Sequence, residues 1–229
     1  LVIGRAGLDL YAHPINTPIG NASQFTSQLG GSAANIAAGL AIQGNNVDLM
    51  SPISNDAIGD FVINSCKKIG INTLLLERVS NLKNTLAIVD TMGDKTNAVL
   101  YREKPADLFI DETFLKKINL DSYLMIIVTG TSLSRNPSRN NVLKLMELAV
   151  KRKIEIVLDI DYREGSWDDK NKAEKTLYSA SLLSNIVVGN DLEFNFMSSD
   201  KNRGLSLASK LSKKNRITTI YKMGSEGLF

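Results

Sequence analysis

The chain has 229 residues, 43% of them hydrophobic and 22% charged, enough apolar content to bury a sizeable core and to exclude wholesale disorder. Lys and Arg number 27 against 24 Asp and Glu, a formal charge of +3. Because the two signs are mixed along the chain, that excess gives no basis for nucleic-acid binding. The longest strongly apolar stretch, Leu124 to Val128, is far too short to span a bilayer. A single cysteine, Cys66, and a single histidine, His13, exclude an intramolecular disulfide and a Cys/His zinc site. The lone thiol fits a reducing, cytoplasmic compartment.

Short apolar runs alternate with segments of helical period. Leu1–Gly4 reads as a strand entering a Gly-rich turn, and residues 31–43 as a helix stopped by Gly44. Residues 47–53 form a strand candidate, followed by a helix over 61–69 that ends at Gly70. Later strands are expected at 123–129, 154–159, 185–189 and 216–222. Helices are expected between them at 138–152, 170–181 and 205–213. Apolar strands separated by helices predict a doubly wound α/β fold with a mostly parallel sheet covered on both faces. One region breaks the alternation: 73–77, 85–90 and 98–101 are strand-like with no helix between them, and Met92-Gly93-Asp94-Lys95 suits a hairpin turn. The expectation is one α/β domain over 1–229 with a small β-sheet lid inserted near 73–102. The chain opens on Leu1-Val2-Ile3 without Met and stops at Gly227-Leu228-Phe229, which reads as a strand just beginning, so both ends are expected to continue in a longer protein.

Several residues could carry chemistry, and each also has a plain structural reading. Gly30-Gly31, just before a helix with Asn35 in its first turn, lets backbone N–H groups meet a ligand, or packs the helix closely through Ala33, Ala34 and Ala37. Asp9 follows the first strand, where ligands bind in open α/β sheets, or it is a solvated loop carboxylate. Tyr101-Arg102 and the Arg163 of Asp159-Ile160-Asp161-Tyr162-Arg163 could recognise an acidic sugar, or form surface ion pairs with Glu103 and Glu164. Asn190 and Glu193, three apart, form either a capping box or a water-mediated magnesium and phosphate site. Lys222-Met223-Gly224-Ser225-Glu226-Gly227 is a Gly-rich turn that cradles phosphate, or a plain hairpin. Cys66 and Trp167 read as packing residues, and His13 as an exposed loop residue beside Pro14.

The order and spacing of these elements resemble the ribokinase-like (PfkB-type) sugar kinases over the whole chain. Gly30-Gly31 with Asn35, Ala37 and Gly44 is similar to that family's first signature. Asn55-Asp56-Ala57-Ile58-Gly59-Asp60-Phe61 resembles its Asp-x-x-Gly segment, Asn190-x-x-Glu193 its Asn-x-x-Glu motif, and Lys222–Gly227 the turn before its nucleotide site. Residues 3–10, 100–108, and Asp159–Arg163 with Trp167 look most like the branch acting on a keto-deoxy sugar acid of inositol catabolism. The 2-keto-3-deoxygluconate kinases come second.

The resemblance implies transfer of the ATP γ-phosphoryl to a primary hydroxyl of a sugar acid, with Mg²⁺. It implies that Asp9, Gly30, Gly31 and Asn35 hold sugar hydroxyls, and that Tyr101, Arg102 and Arg163 face the acidic substrate. Asn190 and Glu193 would organise magnesium and phosphates, Glu193 through water, while Lys222, Gly224 and Gly227 begin the nucleotide site. A homodimer through the β-lid is a further implication. The family's Gly-Ala-Gly-Asp motif, whose Asp is the general base, does not occur in these 229 residues. The chain as given is therefore expected to be inactive by itself, and a non-catalytic sugar-binding protein on the same scaffold is the alternative of another class.

Overall fold

The computed structural model describes residues 1–198, 202–215 and 217–229. The chain divides into two compact units, Val2–Phe109 and Ile110–Phe229, Leu1 belonging with the second.

In the first unit, β1 (Val2–Ile3) runs parallel to β4 (Leu49–Met50), with Val2 beside Leu49 and Ile3 beside Met50. The helix α1 (Ser32–Ile42) lies against them through Ala33, Ala34 and Ala37, whose small side chains allow the close approach. The strand expected over 47–53 is two short ones: Ser51-Pro52 interrupts it, and β5 (Ile53–Ser54) pairs instead with β6 (Arg78–Val79). Proline has no N–H to give to a ladder, which accounts for the break. The helix α2 (Ala57–Ile69) starts four residues before its apolar pattern, because Asp56 caps it by accepting from the Ile58 and Gly59 N–H groups. It ends as expected at Gly70.

A second sheet in this unit has the order β3-β2-β7-β8: β2 (Gly7–His13), β3 (Gln24–Gly30), β7 (Thr85–Met92) and β8 (Lys95–Tyr101). The expected hairpin is present, Met92 pairing with Lys95 across Gly93-Asp94. Two strands of this sheet, β2 and β3, precede α1 and have no apolar run to announce them. Residues 73–77 form no strand: a turn at Leu74-Leu75 separates an isolated bridge at Asn72 from β6 at Arg78. Every residue of β8 is exposed, whereas Ala87 and Val89 of β7 are buried.

The second unit follows the expected alternation closely. After the short helix α3 (Glu112–Lys116) come β9 (Met125–Thr129), α4 (Ser138–Lys151), β10 (Glu155–Asp159), α5 (Lys170–Leu182), β11 (Ile186–Asn190), α6 (Asp191–Met197), α7 (Gly204–Asn215) and β12 (Thr218–Lys222). The four strands are parallel in the order β9-β10-β11-β12. Ile126, Val128, Ile156, Leu158, Val187 and Phe194 build the core. Arg216, where the last strand was expected to begin, lies outside the described residues. No described helix is long and apolar enough to cross a membrane.

Candidate functional site

Asp9 sits within β2, not in a loop, and its carboxylate lies against the Gly30 Cα: a Cβ on Gly30 would fall 2.0 Å from Asp9 Oδ1. Only glycine leaves room for the carboxylate there. Gly31, at φ +103, is the N-cap of α1, and a Cβ on it would strike the Arg5 carbonyl at 2.3 Å. The Arg5 carbonyl also accepts the Ala34 N–H at 3.2 Å, tying the helix start to the turn before β2. Asn35, in the first turn of α1, is exposed. Burial pushes the Asp9 carboxyl above its ordinary value, and Arg5 pulls it partly back. A half-buried carboxylate beside a helix N-terminus and a bare glycine backbone can accept hydrogen bonds from a ligand's hydroxyls.

Tyr101 and Arg102, adjacent in sequence, have opposite environments. Tyr101 ends β8 and is exposed. Arg102 turns inward, its side chain 10% exposed, and grips Asp107 in a fork: Nη2 to Oδ2 at 2.7 Å and Nη1 to Oδ1 at 2.9 Å. Nη1 also donates to Thr85 Oγ1 at 2.7 Å. The partner is neither Glu103 nor Glu164. Asp107 is 1% exposed, and the Arg102 cation is neutralised where it stands.

In the second unit, the C-terminal ends of the parallel strands carry Thr129, Asp159, Asn190 and Lys222. Register places Asp159 beside Thr129 and Asn190 beside Lys222. Asn190 and Glu193 form a capping box at the start of α6: Asn190 Oδ1 accepts the Glu193 N–H at 2.9 Å, and Glu193 Oε2 accepts the Asn190 N–H at 2.8 Å. Glu193 Oε1 takes the Tyr162 N–H at 3.2 Å. Each Glu193 oxygen thus keeps acceptor capacity, and the Asn190 Nδ2 amide has no partner among the described residues. The box is built, and it leaves polar groups over. Tyr162, whose N–H reaches Glu193, stacks on Phe196 with ring centroids 3.7 Å apart.

Asp159 is the carboxylate that residue spacing did not single out. It titrates at about 6: burial raises it most, Asp161 and Glu193 add to the rise, and Lys222 and Arg163 oppose it. Burial also raises Glu193. No described group of three or more His, Cys, Asp or Glu side chains is arranged to hold a metal directly. Lys222 is exposed, and the segment after it is a hairpin: Met223 N–H donates to the Gly227 carbonyl at 2.8 Å, and Tyr221 and Phe229 exchange both backbone bonds at 2.8 and 2.9 Å. Gly224 and Gly227 lie in that turn, with open space beside them.

Arg163 is 61% exposed, and its Nε bonds Asp161 Oδ1 at 3.2 Å. The spacing did not mark Asp161 and Asp107 as the arginines' partners, although Asp161 lies two residues before Arg163 and Asp107 five after Arg102.

The whole chain, residues 1–229, matches the pfkB family of carbohydrate kinases, and it belongs to that family. Curated relatives narrow the likeness. It is 35% identical over 197 residues to the 5-dehydro-2-deoxygluconokinase of Clostridium tetani, a match covering 85% of this chain and 58% of that protein. It is 33% identical over 234 residues to the enzyme of that name from Clostridium beijerinckii, covering 98% of this chain and 68% of that one. The chain thus spans about three-fifths of the length of the Clostridium tetani protein. Among solved structures, a sugar kinase from Pyrococcus horikoshii superposes with a TM-score of 0.83 at 22% identity, covering 99% of this chain and 74% of its own. The fructokinase of Xylella fastidiosa with bound ATP gives 0.82 at 21%, covering 98% and 72%. These last two likenesses concern the fold.

Proposed function

We propose that the protein to which these residues belong is an ATP-dependent sugar-acid kinase that phosphorylates the primary hydroxyl of 5-dehydro-2-deoxygluconate. The observation that carries the sugar half is the Asp9 carboxylate seated on the bare Gly30 backbone beside the N-terminus of α1. The relatives bearing that substrate's name support this choice among sugar acids. In this reading Asp9, Gly30, Gly31 and Asn35 orient the sugar hydroxyls. Arg163, whose Nη groups have no hydrogen-bond partner among the described residues, receives an anionic oxygen of the substrate, and Arg102 takes part as half of a neutral pair with Asp107. Tyr101 offers its exposed ring and hydroxyl.

Asn190, Glu193, Lys222, Gly224 and Gly227 would meet nucleotide phosphates, Glu193 through water on Mg²⁺. ATP supplies the transferable phosphoryl group, and magnesium neutralises charge on it. The residues of this chain bind, orient and compensate charge, which is most of what phosphoryl transfer asks of a protein. The Gly-Ala-Gly-Asp motif that the resemblance expects to carry the general base does not occur in residues 1–229. We therefore expect the 229-residue polypeptide alone not to turn over, and the full gene product to do so.

The exposed β8, with Val99, Leu100 and Tyr101 on its surface, supports a homodimer through the lid sheet, which light scattering of the purified gene product would detect. A reducing, cytoplasmic location completes the reading. The test of function is a substrate panel on the full-length gene product with ATP and Mg²⁺. Phosphorylation of 5-dehydro-2-deoxygluconate ahead of 2-keto-3-deoxygluconate and ribose is expected.

A further inference from the structure

Arg163 is held by one edge only. Its Nε donates to Asp161 Oδ1 at 3.2 Å, and neither Nη has a hydrogen-bond partner among the described residues. Asp161 itself is buried, 3% exposed, and its other oxygen, Oδ2, accepts from Thr131 Oγ1 at 2.9 Å. Thr131 is also buried, and its hydroxyl lies 3.3 Å from that of Thr129, the last residue of β9. The backbone of Asp161 is at φ +34, an uncommon conformation for a residue with a side chain, which persists only where surrounding contacts fix it.

The turn that carries Thr131, residues 130–133, is clamped from behind. Arg139 of α4 donates from Nε to the Leu133 carbonyl at 2.8 Å and from Nη2 to the Ser134 carbonyl, with its guanidinium 5.4 Å from the centre of the Trp167 ring. Ser132 Oγ closes the same turn onto the Thr129 carbonyl at 2.7 Å.

We infer that Thr131 and Asp161 are positioning residues for Arg163: a buried hydroxyl–carboxylate relay fixes the guanidinium by its Nε edge and leaves both Nη groups to receive an anionic oxygen of the substrate. The inference deepens the kinase reading and rests on it for the identity of the anion. Its physical sense is that a long, exposed arginine samples many rotamers, and one charge-assisted anchor removes much of that freedom before the ligand arrives.

The test is a double-mutant cycle in the full-length gene product with 5-dehydro-2-deoxygluconate. Thr131→Val keeps the shape and removes the donor; kcat/KM is expected to fall about tenfold, the scale of one hydrogen bond to a charged group. Thr131→Ser, which keeps the hydroxyl, restores most of that loss. Arg163→Ala is more damaging, and Thr131→Val added to it costs nothing further. Losses that simply multiply, or an unchanged kcat/KM in Thr131→Val, overturn the inference.

A readout free of catalysis accompanies the cycle. The Arg163 Nε–H resonance is expected to be protected from solvent exchange in the wild type and in Thr131→Ser, and to lose that protection in Thr131→Val. If the wild type phosphorylates no sugar acid, the functional reading fails and the Nε–H signal alone decides. A signal that Thr131→Val does not move contradicts the relay.

Discussion

Gly30 and Asp9 make a pair in which one residue exists to leave space for the other. Gly30→Ala would place a methyl 2.0 Å from Asp9 Oδ1, so the carboxylate must swing away. The expected result is a raised KM for the sugar with a stability loss of about 1–3 kcal/mol, read by steady-state kinetics and denaturant melts. Asp159 argues in the opposite sense. Its carboxyl titrates at about 6 in the folded chain against 3.8 ordinarily, so the folded state binds the extra proton between those values and stability falls as pH rises from about 4 to 6. Asp159→Asn is expected to raise stability at pH 7 by the order of 2 kcal/mol and to flatten that stretch of the pH profile. A pH-dependence as steep as the wild type's would contradict this. Arg102 and Asp107 are a buried fork, and Asp107→Ala leaves a cation stranded at the base of β8. A loss of about 3 kcal/mol is expected from a thermal melt, with substrate affinity lost alongside.

Among the elements, α2 shows how far a cap outranks apolar periodicity. Its hydrophobic pattern begins at Phe61, yet the helix begins at Ala57, because Asp56 accepts from Ile58 N at 3.1 Å and Gly59 N at 3.3 Å. Burial works against the Asp56 charge, but Lys83, Ser54 and the Gly59 N–H hold its carboxyl down at about 2. The cap's contribution is present above pH 4 and is lost as pH falls toward 2; Asp56→Ala should cost about 1–2 kcal/mol at pH 7 and narrow the acid-unfolding difference. The parallel strands of residues 110–229 were legible because each is an apolar run between helices of clear period. β2 and β3 were not: β3 is almost entirely exposed, and Gly7–His13 mixes Asp9 and Tyr11 into its run, so neither carries the signal of a buried strand. Their place is set by pairing with each other and, for β2, with β7, a tertiary effect.

At the scale of the molecule, the motifs located the candidate groups and missed their partners. Asn190 and Glu193 could be placed because a capping box has fixed spacing. Thr131, the partner of Asp161, could not, since their contact spans thirty residues and depends on two strand ends lying side by side. Our proposal is that residues 1–229 carry the substrate-recognition and phosphate-facing parts of a sugar-acid kinase. It is tested most directly by comparing kcat/KM of the full-length gene product for 5-dehydro-2-deoxygluconate, 2-keto-3-deoxygluconate and ribose. The first is expected to be highest and ribose to be poor. Ribose turned over as well as either acid, or no ATP-dependent phosphorylation of any of the three, would contradict it.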